Sequence, residues 1–323
     1  MIKDGNKEYK FFKGYDYDSF RKGIVESDYE VTQVPCGNCI GCRLDYSRQW
    51  ANRCYLESLG SNNSYFITLT YDEKNLPIGK NGNPTLLKDE ISNFMKDLRA
   101  YYKYHFNLDN VRFFACGEYG DSSLRPHYHL IIFNLPIYDL TEDFIYEEDG
   151  KTYVTKHVEN GNIYYYSDII RNIWKKGNIL IGQATWQSMA YVARYVTKKI
   201  KGKEANVYAA LGVEPEYVRM SRRPGIGEKY FREHYKEIYE NDNIIINNGK
   251  DSYAVQPPRY FDKLVDRFEL SDIDLEAIKD YRLRNSEAAQ ESIYQLSNMS
   301  YIDYIESLAD KKMKQIFCLK RSL

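Results

Sequence analysis

Nothing in this chain approaches the ~20 consecutive apolar residues that a membrane span requires. Its longest uncharged stretch, Gly177 to Ala193, is interrupted by Gln, Thr and Ser, so no membrane partner is expected. The opening residues, MIKDGNKEYKFFKG, lack the apolar core of a secretion signal, which leads to the expectation of a cytosolic protein. No G-x-x-x-x-G-K-[ST] tract is present, and this argues against a chain that carries its own phosphate-loop helicase. Internal repeats and long low-complexity tracts are missing too. Even net charge is nearly absent: the formal balance is −1, and the chain as a whole does not declare a nucleic-acid partner.

The charge that is present is unevenly placed. Residues 191–236 hold 11 Lys/Arg against 5 Asp/Glu, whereas residues 262–311 hold 6 against 12. The first stretch would attract phosphates and the second keep the protein soluble, although each alone also reads as an ordinary solvated face. Tyrosine is abundant, at 32 of 323 residues. Asn, Lys and Ile are abundant as well, and an AT-rich coding genome explains most of them. Only the position of a tyrosine can argue function.

Six cysteines stand at 36, 39, 42, 54, 116 and 318. Without an export signal, disulfides are disfavoured, and the run Cys36-x2-Cys39-x2-Cys42 followed by Cys54 reads as metal ligation. The expectation is one structural Zn²⁺ held by Cys36, Cys39, Cys42 and Cys54. An iron–sulfur cluster and plain packed thiols are the alternatives.

The length suits one large domain or two ordinary ones. Strands are predicted at YFITLTY (65–71), VRFFACGEY (111–119), HYHLIIF (127–133) and NILIGQA (178–184), all rich in β-branched and aromatic residues. Helices are predicted over 44–59, 86–104, 167–176 and Trp186–Ile200, the last with Thr185 as N-cap. Residues 138–166 read as a hairpin excursion with turns at Asp149-Gly150 and Asn160-Gly161. Two strands in succession across a short loop exclude a doubly wound parallel sheet. The fold class is therefore α+β, a mostly antiparallel sheet with its helices on one face. Three regions are expected: a Cys-rich N-terminal segment (1–60), a core (61–200), and an extension (201–323) that is first basic, then acidic and helical.

On a strand, residues i and i+2 face the same way, so HYH aims His127 and His129 at one point. Glu118 precedes the pair by nine residues. Two imidazoles and a carboxylate can hold a divalent cation with positions left open for phosphate oxygens. In YVARYVTKK, Tyr191 and Tyr195 share a helix face about 6 Å apart along the axis. A phenolate attacks phosphorus and leaves more readily than an alkoxide, but a phenol with a pKa near ~10 needs help. Lys198, one turn beyond Tyr195, is placed to supply it. Arg194 points to another side of the helix and reads as a DNA-backbone contact, as do Lys199, Arg222 and Arg223. Each piece has a plainer reading: buried histidines, tyrosines in a core, Glu118 paired with Arg125. Their coincidence points to metal-assisted DNA nicking and rejoining. His105, His157 and His234 are expected to be dispensable.

These residues resemble the HUH endonuclease superfamily and, within it, the replication initiators of small single-stranded DNA phages of the gokushovirus branch of microviruses. PCGNCIGCR, RQWANRC, FITLTYDE, CGEYGDSSLRPHYHLIIF, YVARYVTKK and MSRRPGIG carry the resemblance, which spans most of the chain. One departure is Tyr128, where the superfamily usually has a hydrophobic residue. The resemblance implies an RRM-like nuclease core with the histidine pair at the centre of the sheet, Mg²⁺ or Mn²⁺ as working metal, and rolling-circle initiation through a 5′-phosphotyrosine. Implied partners are single-stranded origin DNA, replicative-form DNA, and a host helicase and polymerase in the bacterial cytoplasm. A plasmid initiator or relaxase with the same chemistry is the nearest alternative. A non-catalytic, zinc-stabilised single-strand binding protein, stacking bases on aromatics, is the alternative from another class.

Overall fold

A computed structural model of the chain describes residues 2–4, 7–9, 37, 40–120, 123–148, 151–159, 162–195 and 205–298, with isolated positions beyond. Cys36, Cys39, Lys198, Lys199, Ser122 and both predicted turns lie outside these residues. The chain divides into a compact unit, Tyr46–Leu275, and a second made of Met1–Asp45 and Glu276–Leu323. In the second unit β1 (Ile2–Asp4) pairs antiparallel with β2 (Lys7–Tyr9).

Helix α1 (Ile40–Leu59) leads to β3 (Ser64–Thr70), α2 (Glu90–Phe106), β4 (Arg112–Tyr119) and β5 (Pro126–Phe133). The excursion follows as two hairpins, β6 (Asp143–Glu148) with β7 (Lys151–Lys156), and β8 (Val158–Glu159) with β9 (Asn162–Ile163). Then come α3 (Asp168–Trp174), β10 (Ile179–Gln183), α4 (Trp186–Arg194), α5 (Ala205–Leu211) and β11 (Tyr217–Met220). The chain continues through α6 (Glu228–Asn241), the hairpin β12 (Ile244–Asn247)–β13 (Ser252–Val255), α7 (Arg259–Arg267) and α8 (Leu275–Ser297). Among the described residues no helix is long and apolar enough to cross a membrane.

Five strands form one antiparallel sheet in the order β10-β3-β5-β4-β11, with β5 at its centre. Period-2 alternation divides its side chains between two cores. Ile67, Leu69, Phe113, Ala115, Tyr128, Leu130 and Ile132 face Ile91, Phe94, Met95 and Leu98 of α2 and Ile170 and Trp174 of α3. Phe114, Cys116, Ile131 and Phe133 face Ala51 and Cys54 of α1 and Met189, Val192 and Ala193 of α4. Helices thus cover both faces, not one. β4 and β5 show why: they are buried on both sides almost throughout, and a doubly buried strand needs two covering layers.

Two boundaries differ from the sequence expectation. Leu86 and Leu87 precede α2, because their N–H groups donate to the Tyr119 and Tyr128 hydroxyls at 3.0 and 3.1 Å. The fifth strand, β11, comes from the stretch read as extension, where four residues carry too little periodicity to be recognised. The link from α3 to β10 passes hard against β3: at Gly177 a Cβ would lie 2.3 Å from the Thr70 carbonyl oxygen.

Candidate metal and tyrosine site

Strand register builds the site. β4 and β5 pair Glu118 with His127, β3 and β5 pair Thr70 with His127 and Thr68 with His129, and all of these side chains share the sheet face that α4 covers. His127 and His129 lie two residues apart on β5, their ring centroids separated by 4.9 Å. Nε2 of His127 is 2.7 Å and Nε2 of His129 2.8 Å from the same Glu118 oxygen, Oε1. The three donor atoms lie within 4.8 Å of one another.

Each ring is held from behind. His127 Nδ1–H donates to the Arg125 carbonyl at 3.1 Å. His129 Nδ1 is 2.9 Å from Thr68 Oγ1, and its ring stacks on Phe66 at 5.2 Å. With Nδ1–H of His127 committed, its Nε2 lone pair faces a carboxylate oxygen, an arrangement that demands a proton or a cation between them. Burial pushes the Glu118 carboxyl up, but hydrogen bonds from His127 and His129 prevail and bring it down to about 2. Burial pushes both imidazoles down. At His127 the Glu118 carboxylate outweighs burial and the ring sits above its usual range, whereas the deeper His129 stays below.

Glu118 is 2% exposed, yet its second oxygen, Oε2, is buried with no hydrogen-bond partner. An orphaned carboxylate oxygen in an apolar surround is costly unless something positive meets it. Two imidazole nitrogens and this carboxylate are a donor set that fits a divalent cation.

Helix α4 brings the tyrosines. Thr185 caps it through a reciprocal capping box with Ser188, and Trp186 Nε1–H anchors it to Asn52 at 3.0 Å. With Met189, Val192 and Ala193 on the sheet, the Tyr191 hydroxyl donates to Glu118 Oε1 at 2.8 Å. The Tyr195 hydroxyl stands one step further out, 3.4 Å from that of Tyr191. Burial and the Glu118 charge push the Tyr191 phenol far up, and Arg194 opposes them.

Other predicted residues fall elsewhere. Arg194 does not turn to another side: its guanidinium lies 5.0 Å over the Tyr191 ring, an i,i+3 neighbour. Arg125 pairs with Glu73, leaving Glu118 to the histidines. Arg222 and Arg223 are exposed beyond the end of β11, where Ser221 N–H donates to the Phe113 carbonyl. Five residues of strand, about 17 Å, separate that position from Glu118. His105 stacks on Tyr101 and His234 on Tyr230, in α2 and α6.

The four-cysteine zinc site needs correction. Cys42 and Cys54 lie on one unbroken helix, and twelve residues of helix rise about 18 Å. Thiolates on one zinc lie within about 4 Å of each other, so these two cannot share an ion. Cys54 is fully buried against Ala51, Phe114 and Ile131, and burial pushes its thiol far up. Thr68 and Phe66, which position His129, were missed. Their alternation with Ile67 and Leu69 was visible, but not the register that sets Thr68 opposite His129.

Residues 64–200 match the family described as replication-associated protein ORF2. The chain is 34% identical to the replication-associated protein ORF2 of Spiroplasma virus 4, covering 96% of this chain and 91% of that protein. It is 31% identical to the replication-associated protein VP4 of Bdellovibrio phage phiMH2K, over 70% of this chain and 65% of that one. With the replication-associated protein ORF4 of Chlamydia phage 1 the identity is 26%, over 94% and 70%. No solved structure matches the chain significantly.

Proposed function

The chain belongs to the replication-associated protein family of the microviruses, and from this membership we propose that it initiates rolling-circle replication by cation-dependent, site-specific nicking and rejoining of single-stranded DNA. One observation carries the reading: both imidazoles and the Tyr191 hydroxyl converge on a single oxygen of Glu118. Since the relatives are virus proteins, a phage origin is preferred to a plasmid one.

Glu118, His127 and His129 are the residues that hold Mg²⁺ or Mn²⁺. When bound, such a cation polarises the scissile phosphate and offsets its developing charge. The protein's own groups do the rest. Tyr191 is aimed at the cluster with its proton already directed to Glu118 Oε1. Its oxygen forms a bond to phosphorus as the bond to the 3′ oxygen breaks, and the electron pair leaves with that oxygen, which takes up a proton. The 5′ end stays on the enzyme, and the free 3′ hydroxyl serves a host polymerase. Tyr195 waits behind Tyr191 to cut the regenerated origin. The new 3′ hydroxyl then attacks the first phosphotyrosine, forming the closed strand and releasing the phenol. Arg194 over the Tyr191 ring favours the phenolate. Lys198 is assigned to the phosphate. A chain without a phosphate-loop motif relies on a host helicase for strand separation.

Nicking of supercoiled origin DNA, with and without EDTA, is the test. Wild type should cut only with the divalent cation, and His127→Ala or His129→Ala should abolish cutting with the fold kept. Binding of single-stranded DNA without any cutting, or near-normal cation-dependent cutting by both variants, would sink the reading.

A further inference from the structure

The row of side chains that contains Glu118 does not end with it. β11 pairs with β4 from Tyr217 opposite Gly117 to Met220 opposite Phe114. One residue further in the same register, Glu216 stands opposite Glu118. Directly opposed residues of an antiparallel pair point to the same face, and parity agrees: Val218 and Met220 pack in the core beneath α4. The row across four strands therefore reads Thr70, His127, Glu118, Glu216. The charge of Glu216 is felt at His127.

Glu216 is also fixed in place. It accepts a hydrogen bond from the Tyr208 hydroxyl on α5. The end of α5 is clamped in turn: Asn81 and Asn83 side chains donate to the Ala210 and Leu211 carbonyls at 2.9 Å each. Gly79 and Gly212 approach so closely that a Cβ on Gly79 would lie 2.4 Å from the Gly212 carbonyl oxygen. Two residues before Glu216, the Glu214 N–H donates to Thr85 at 2.9 Å, and its carbonyl accepts from the Tyr119 hydroxyl.

Like charges set directly opposite each other on a sheet are destabilising, so a second carboxylate beside buried Glu118 calls for a reason. The orphaned Oε2 of Glu118 supplies it, since that atom too lacks a positive partner. Two neutral imidazoles and one carboxylate leave a divalent cation with a net charge of about +1 in a largely buried place, which is costly. A carboxylate in the adjoining position cancels it.

We propose that Glu216 is a second, positioning carboxylate of the cation site: it lies outside the donor triad, neutralises the bound cation, and is oriented by Tyr208. This rests on the reading of Glu118, His127 and His129 as a cation site. The test is Mn²⁺ binding to the full chain without DNA, followed by the electron paramagnetic resonance of free Mn²⁺. Glu216→Gln, which keeps the shape and removes the charge, should weaken Mn²⁺ by about 10–100-fold, the range for partners one shell beyond the ligands. Glu216→Asp should recover part of the loss, and Tyr208→Phe should cause a smaller loss of the same sign. Thermal unfolding of the metal-free variants should match wild type, which a purely structural role would not allow. If Glu216→Gln folds poorly, Glu216→Asp and Tyr208→Phe carry the test alone. A wild-type dissociation constant in these variants, alongside lost binding in His129→Ala, overturns this proposal only. Failure of wild type to bind Mn²⁺, or wild-type binding by His129→Ala, overturns the triad reading and this proposal with it.

Discussion

At the scale of single residues, the two tyrosines are not equivalent. Tyr191 touches Glu118 directly, whereas Tyr195 reaches the cluster only through Tyr191. With short single-stranded origin oligonucleotides, Tyr191→Phe should lose more cleavage than Tyr195→Phe, each single variant should retain some, and the double variant should form no covalent adduct on a denaturing gel. An adduct in the double variant, mapped by peptide mass to another tyrosine, would overturn the assignment. Arg194 adds a second expectation. Burial and Glu118 raise the Tyr191 phenol, and the guanidinium over its ring lowers it. Removing that cation by Arg194→Gln lets the phenol rise further. The rising limb of the pH–rate profile for nicking should therefore move to higher pH, with DNA affinity changed little. A profile that stays in place would show that the contact is packing alone.

At the scale of elements, the site depends on a nine-residue helix that could not persist unaided in water. The capping box at Thr185, the Trp186–Asn52 bond and the apolar face of Met189, Val192 and Ala193 hold α4 to the sheet. Elsewhere Glu228 at the start of α6 gathers the Gly225 N–H, Arg232 and the Tyr260 hydroxyl of α7. Burial pushes its carboxyl up, but Arg232 and the other donors outweigh burial and hold it below the usual range. A lowered folded pKa means stability that is present above the unfolded value of ~4.3 and is lost as pH falls through the folded value. Glu228→Gln should thus unfold at a lower temperature than wild type near neutrality. The gap should close as pH drops below about 4. A gap of constant size across that range would refute the charge-based account.

At the scale of the whole molecule, two metal sites were expected and their standing now differs. The triad is assembled by the sheet. Cys54 is a core residue, and helix rise alone keeps it apart from Cys42. Elemental analysis of protein purified without added metal should give the same zinc content for wild type and Cys54→Ala. The variant should lose stability by about 1 kcal/mol, as expected for a methyl-sized deletion from a packed core. Zinc that disappears with Cys54→Ala would restore the four-cysteine site. The basic residues also separate by position. Arg194 serves the tyrosine cluster, while Arg222 and Arg223 lie beyond the opposite end of the sheet.

Local periodicity carried much of this protein in its sequence. Alternation was enough to place His127 and His129 on one face and to find the four long strands. Helical spacing was enough to stack Tyr191 near Tyr195, and the Thr185 cap was legible because capping is a matter of adjacent residues. What required the tertiary structure was everything that depends on register and docking. Glu118 meets the histidines because β4 and β5 pair at one register, and a slip of one residue would turn it to the other face. Arg194 could be assigned only once α4 was laid on the sheet, and Cys54 only once α1 was seen unbroken and packed. The fifth strand, four residues long, is a strand because β4 offers it an edge. Short-range pattern sets which residues share a face; long-range pairing decides which faces meet.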